Sequence, residues 1–96
     1  MKNDETYYEQ IRAFSFRGWT LRIWIEDKNE SEEALYKIMK AVSMGLEDAY
    51  DKCVGTCTPR VLAEAGLKIA KINAIEVLDH NLHGAVLYKS RYHLPK

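Results

Sequence analysis

FSFRGWTLRIWIED, residues 14–27, decides how the chain folds. Aromatic and aliphatic residues alternate with small and charged ones on either side of Arg17-Gly18, the signature of two half-buried strands joined by a tight turn. Gly18 supplies the positive φ that a two-residue hairpin turn requires. Strands are therefore expected over Tyr7–Phe16 and Trp19–Glu26. A two-residue turn sets Phe16 opposite Trp19, Phe14 opposite Leu21 and Arg12 opposite Ile23. One face then carries Phe14, Phe16, Trp19, Leu21 and Ile23, which is the core face. The other carries Ala13, Ser15, Thr20, Arg22 and Trp24. A bulged turn would reshuffle the first strand but leave Arg22 and Trp24 together.

Working outward, Asp27–Ser31 is a polar connection that ends in helix-start chemistry: Asn29 or Ser31 can cap, and Glu30, Glu32 and Glu33 suit the positive end of the helix dipole. Leu35, Ile38, Met39 and Val42 recur at helical spacing, which predicts a helix over Glu32–Met44. Gly45 is expected to end or kink it, with a further helical piece from Leu46 to about Cys53. Thr58-Pro59 restarts the pattern with a cap and a proline at the first helical position. That second helix should be short, Pro59–Ala65, closing near Gly66. Asn73–Leu78 and Gly84–Lys89 then read as strands around the turn Asp79–Gly84. The plan is α+β in a single domain spanning 1–96. Two β-hairpins form an antiparallel sheet, and the two to three helices between them pack on one of its faces.

Composition bounds the rest. Ninety-six residues, 47% hydrophobic and 29% charged, suit one ordinary globular core. No run approaches the ~20 apolar residues of a membrane-spanning helix, and Met1–Thr6 is polar, so a cytoplasmic chain without a membrane partner is expected. The formal net charge is zero. Its distribution is uneven: residues 26–51 hold eight acids against three bases, and residues 60–96 hold six bases against three acids. Duplex nucleic acid is disfavoured as a partner, because the helices offer no basic recognition face.

Motifs for catalysis are missing from the sequence. It has no G-x-S-x-G, no G-x-x-x-x-G-K-[ST] and no G-x-G-x-x-G after a strand. Glu76 with His80, or Asp79 with His83, could form an acid–base pair, but both pairs fall in a hairpin turn. Cys53 and Cys57 followed by His80 and His83 do not make a standard zinc spacing. No enzyme activity, cofactor or metal is therefore expected.

The strongest functional feature is the outward Arg22–Trp24 pair, with Arg12 and Arg17 nearby and Glu76 or Tyr88 of the second hairpin beside it. Guanidinium forks grip phosphate, and aromatic rings stack on bases. Arg12, Arg17, Arg22, Trp24 and Tyr88 are the candidate ligand-binding residues. If they act on an exposed face, Trp24→Ala should weaken binding and spare stability, while Trp19→Ala should unfold. A second candidate surface is the acidic helix with Glu30–Glu33, Glu47, Asp48 and Asp51. Exposed edges and aromatic faces in so short a chain also point to a homo-oligomer.

R-G-W-T-L-R-I-W at 17–24, with N-A-I-E-V-L-D at 73–79 and G-A-V-L-Y-K at 84–89, bracketing a short helical middle, resembles small accessory proteins encoded by bacteriophages and prophages. The resemblance implies a counter-defence role in the host cytoplasm. One form is a sponge that sequesters a small anionic nucleotide of the cyclic nucleotide or cyclic ADP-ribose type. The other is a stoichiometric protein inhibitor of a host nuclease or defence complex, similar to anti-CRISPR proteins, acting through the acidic helix surface.

Overall fold

The computed structural model describes residues 9–26 and 31–89. Its elements run β1 (Glu9–Phe16), β2 (Trp19–Glu26), α1 (Glu32–Asp51), α2 (Pro59–Leu67), β3 (Ile72–Leu78) and β4 (Gly84–Tyr88). The strands make one antiparallel sheet in the order β1-β2-β3-β4. Both helices lie on the same side of it, giving the α+β plan of two hairpins with helices between them. Tyr7 and Tyr8, expected at the start of the first strand, and Asn29 and Glu30, expected at the first helix start, lie outside the described residues.

Arg17 and Gly18 both take positive φ, 52° and 84°, so β1 and β2 are joined by the expected two-residue turn. The register follows: Phe16 pairs with Trp19, Phe14 with Leu21 and Arg12 with Ile23. Gly18 has a second duty. A Cβ there would come within 2.5 Å of His80 Nε2, so the tip of the first hairpin rests against the turn of the second.

Ser31 caps α1, its Oγ accepting from the Ala34 N–H at 3.1 Å, and Thr58 caps α2, its Oγ1 accepting from the Val61 N–H at 3.3 Å. Gly45 does not interrupt α1, which continues unbroken to Asp51 and absorbs the expected third helical piece. A helical glycine costs only about 1 kcal/mol, and Val42 and Leu46, both fully buried on either side of it, hold the turn against the sheet. Likewise α2 passes through Gly66 to Leu67. Gly66 is buried against Ile75 and serves as a contact point, not a terminator.

α1 runs along β1: Arg12 faces Glu32 at one end, and Arg17 meets Glu47 at the other. α2 covers β3 and β4. Between the layers Leu21, Ile23, Ile25, Val42, Leu46, Leu62, Ile72, Ile75 and Val77 are fully buried. Each such side chain contributes roughly 1.5–3 kcal/mol of burial. A register shift opposite Trp24 and Ile25 leaves Asn73 as an extra residue in β3. This bulge flips the parity of the strand, so Ile72 joins Ile75 and Val77 in the core while Ala74 points away.

Candidate functional site

The side of the sheet away from the helices carries three full cross-strand rows, with Glu26 following Trp24 by parity at the end of β2, where it pairs with Glu9. Ile11, Trp24, Ala74 and Tyr88 form the first, Ala13, Arg22, Glu76 and Val86 the second, and Ser15, Thr20, Leu78 and Gly84 the third. An antiparallel sheet with one bare face ordinarily alternates apolar-in and polar-out. Of the eleven side chains in these three rows only Arg22 and Glu76 are charged, and Glu26 stands beyond them at the end of β2. Ile11, Val86 and Tyr88 stand 49%, 43% and 48% exposed, so apolar surface is presented at both edge strands.

Trp24 is where the sequence expectation is half right. It points to the helix-free face as expected, but it is only 7% exposed and packs with Ala74 as a small second apolar cluster. Two causes are visible. It is an inner-strand residue flanked by Ile11 and Ala74 in its own row, and the Arg22 guanidinium lies 5.4 Å from its ring centre. A tryptophan so covered has no free face on which a base could stack, so the expected exposed Arg22–Trp24 platform is corrected to a buried tryptophan under an arginine.

Arg22 is itself engaged. Its Nε and Nη2 donate to the same Glu76 Oε1 at 2.9 and 2.8 Å. The other two arginines lie elsewhere. Arg12, on the helix-side face of β1 by its parity with Phe14 and Phe16, stands 3.9 Å from Glu32. Arg17, at the hairpin tip, donates to Glu47 at 3.0 Å and sits 4.2 Å from the Tyr50 ring centre. The Glu47 hydrogen bond holds the Arg17 guanidinium above its ordinary pKa, with the nearby charge of Glu47 adding to it. The five expected ligand-binding residues therefore do not converge: Arg22, Trp24 and Tyr88 share the helix-free face, whereas Arg12 and Arg17 belong to the helix layer.

Asp79 Oδ1 accepts from the backbone N–H groups of Asn81 and His83, both at 2.9 Å, which organises the loop. Its Oδ2 stands 3.5 Å from His83 Nδ1, while His80 abuts Gly18. Among the described residues no three His, Cys, Asp or Glu side chains gather as metal ligands, and no helix is long and apolar enough to cross a membrane.

Two of the hollows among the described residues lie on the helix side. A groove of about 570 Å³ between α1 and α2 is lined by Asp48, Lys52, Val61 and Glu64 among others. Its charges are partly matched internally, Lys52 with Asp48 at 3.1 Å and Arg60 with Glu64 at 3.2 Å. A smaller cavity of about 200 Å³ is lined by Trp19, Tyr50, Cys53, Gly55 and Cys57.

Ile11 and Val86 were not among the expected site residues. Their parity with Ala13 and Trp24, and with Gly84 and Tyr88, places them on the outward face, and two large aliphatic residues at outward positions are the signal available in the sequence. Comparison of the chain with protein-family models, curated proteins and solved structures finds no match in any of the three.

Proposed function

We propose that this chain is a non-catalytic binding protein that docks the helix-free face of its sheet on another protein. The observation that carries the reading is the composition of the middle of that face: Ile11, Val86 and Tyr88 half exposed around the Trp24–Ala74 floor, with one satisfied ion pair among them and Glu26 at the margin. Apolar, aromatic and arginine side chains around a charge-poor centre match the make-up of protein interfaces. Because Arg22 and Glu76 already satisfy one another, covering them leaves no lone buried charge. The role of stoichiometric inhibitor, which the phage-type resemblance suggests, needs only such a surface and no chemistry.

Sequestration of an anionic nucleotide is less well supported. Arg12, Arg17 and Arg22 would each have to give up a glutamate, and they stand on two sides of the sheet. The alternative use of the acidic helix as the binding surface is likewise weakened, because Glu32, Glu47 and Asp48 are matched by Arg12, Arg17 and Lys52.

The test is affinity capture from the native cell with the wild-type chain and with Val86→Lys, an exposed edge-strand change. A protein retained by wild type and lost with Val86→Lys, at unchanged melting temperature, is the expected result. Equal retention by both, together with a thermal shift on adding cyclic nucleotides, would return the function to nucleotide capture.

A further inference from the structure

The connection between α1 and α2 is Cys53-Val54-Gly55-Thr56-Cys57, and it is bent in an unusual way. Val54 is a β-branched residue at φ 42°, 89% exposed, followed by Gly55 at φ 86°. A left-handed β-branched residue is a strained arrangement with nothing apolar buried in return. The Thr56 N–H closes the turn onto the Cys53 carbonyl at 3.2 Å. The effect of the bend is to bring Cys57 back beside Cys53, so that both half-buried thiols line the small cavity with Trp19 and Tyr50. A Cβ on Gly55 would meet nothing within 4 Å, so the cavity wall at the turn is open. Cys57 shares the cavity lining with Cys53, whose Sγ donates to the Ala49 carbonyl at 3.3 Å.

We propose that Cys53 and Cys57 are a dithiol site that small-molecule disulfides convert reversibly into an intramolecular disulfide tying the end of α1 to the start of α2. This site is independent of the sheet-face reading. In the forward direction the Cys53 thiolate attacks one sulfur of glutathione disulfide, forming a mixed disulfide and releasing one glutathione thiolate. Cys57 then gives up its proton and attacks the Cys53 sulfur, expelling the second glutathione. Two protein thiols become one disulfide, one glutathione disulfide becomes two glutathiones, and electrons balance. The order of attack follows from the surroundings: burial, and after it the hydrogen bond with Cys53, push the Cys57 thiol up to about 12. Cys53 is therefore the entering nucleophile and Cys57 the resolving one. Closure of the ring would stiffen the strained turn that edges both hollows, although Cys53 gives up its hydrogen bond to the Ala49 carbonyl.

The experiment is mass spectrometry of the folded protein equilibrated with glutathione disulfide and then quenched with acid. Wild type should lose two hydrogens, with a peptide map linking Cys53 to Cys57 and no retained glutathione. Cys57→Ser should instead hold one glutathione on Cys53. Wild-type protein that stays fully reduced, accumulates glutathione on either cysteine, or links to a second chain would overturn the proposal. The wild-type mass decides this even if the serine variant does not fold.

Discussion

Arg22 on β2 and Glu76 on β3 face each other in register, and both guanidinium N–H bonds fall on one carboxylate oxygen, at 2.8 and 2.9 Å. The pair sits at the centre of the helix-free face, above Trp24, with open solvent on one side. An ion pair so placed contributes little by itself: a double-mutant cycle with Arg22→Ala and Glu76→Ala should give a coupling of at most about 1 kcal/mol, shrinking as salt is raised. A coupling of several kcal/mol would mean the pair is buried in the protein as it exists in solution.

Trp24→Ala should be severely destabilising, because the ring is buried. Large aromatic residues truncated in a core typically cost ~3–5 kcal/mol, against a total of order 5–10 kcal/mol for a chain of this size. Urea denaturation checks it, and a loss below about 1 kcal/mol would show that the ring is in solvent.

Gly66→Ala gains up to about 1 kcal/mol of helix propensity, yet its methyl would meet Ile75 Cδ1 at 2.5 Å in a fully buried site. Overpacking of a tight core costs ~1–3 kcal/mol. The expected net is a lower melting temperature. A higher one would mean that the Ile75 Cδ1 methyl rotates aside at little cost.

Much of this fold is legible in the hairpin sequence, and what is not has a definite physical origin. The Arg17-Gly18 turn fixes the pairing of Phe16 with Trp19, and parity then assigns every side chain of β2 to a face. Caps at Ser31 and Thr58 mark both helix starts. Gly45 does not stop α1, because its buried neighbours Val42 and Leu46 outweigh its low propensity, and that burial is not legible in the sequence; α2 closes one residue past Gly66. The Trp24 environment could not be seen because parity gives direction but not cover. The arginine partners were hidden for a different reason: Arg17 and Glu47 lie thirty residues apart, and Arg22 and Glu76 fifty-four, so only the assembled sheet pairs them.

Alkaline titration should separate Cys57 from the rest. Its thiol is held protonated in the fold, with the pKa raised from 9.0 to about 12, first by burial and then by Cys53. The unfolded chain releases this proton first, so the stabilisation is complete below pH 9.0 and is lost as pH rises through the folded value of about 12. Urea midpoints across that window should fall more steeply for wild type than for Cys57→Ser. Parallel slopes would show that Cys57 titrates normally.

If the helix-free face is the working surface, site-specific photo-crosslinking in the native cell should capture the partner there. A photoreactive residue replacing Val86 or Ile11, one on each edge strand, should capture a protein, whereas the same residue replacing Glu64 on the α1–α2 groove should not. Capture from position 64 alone, with positions 11 and 86 silent, would move the working surface to the helix side.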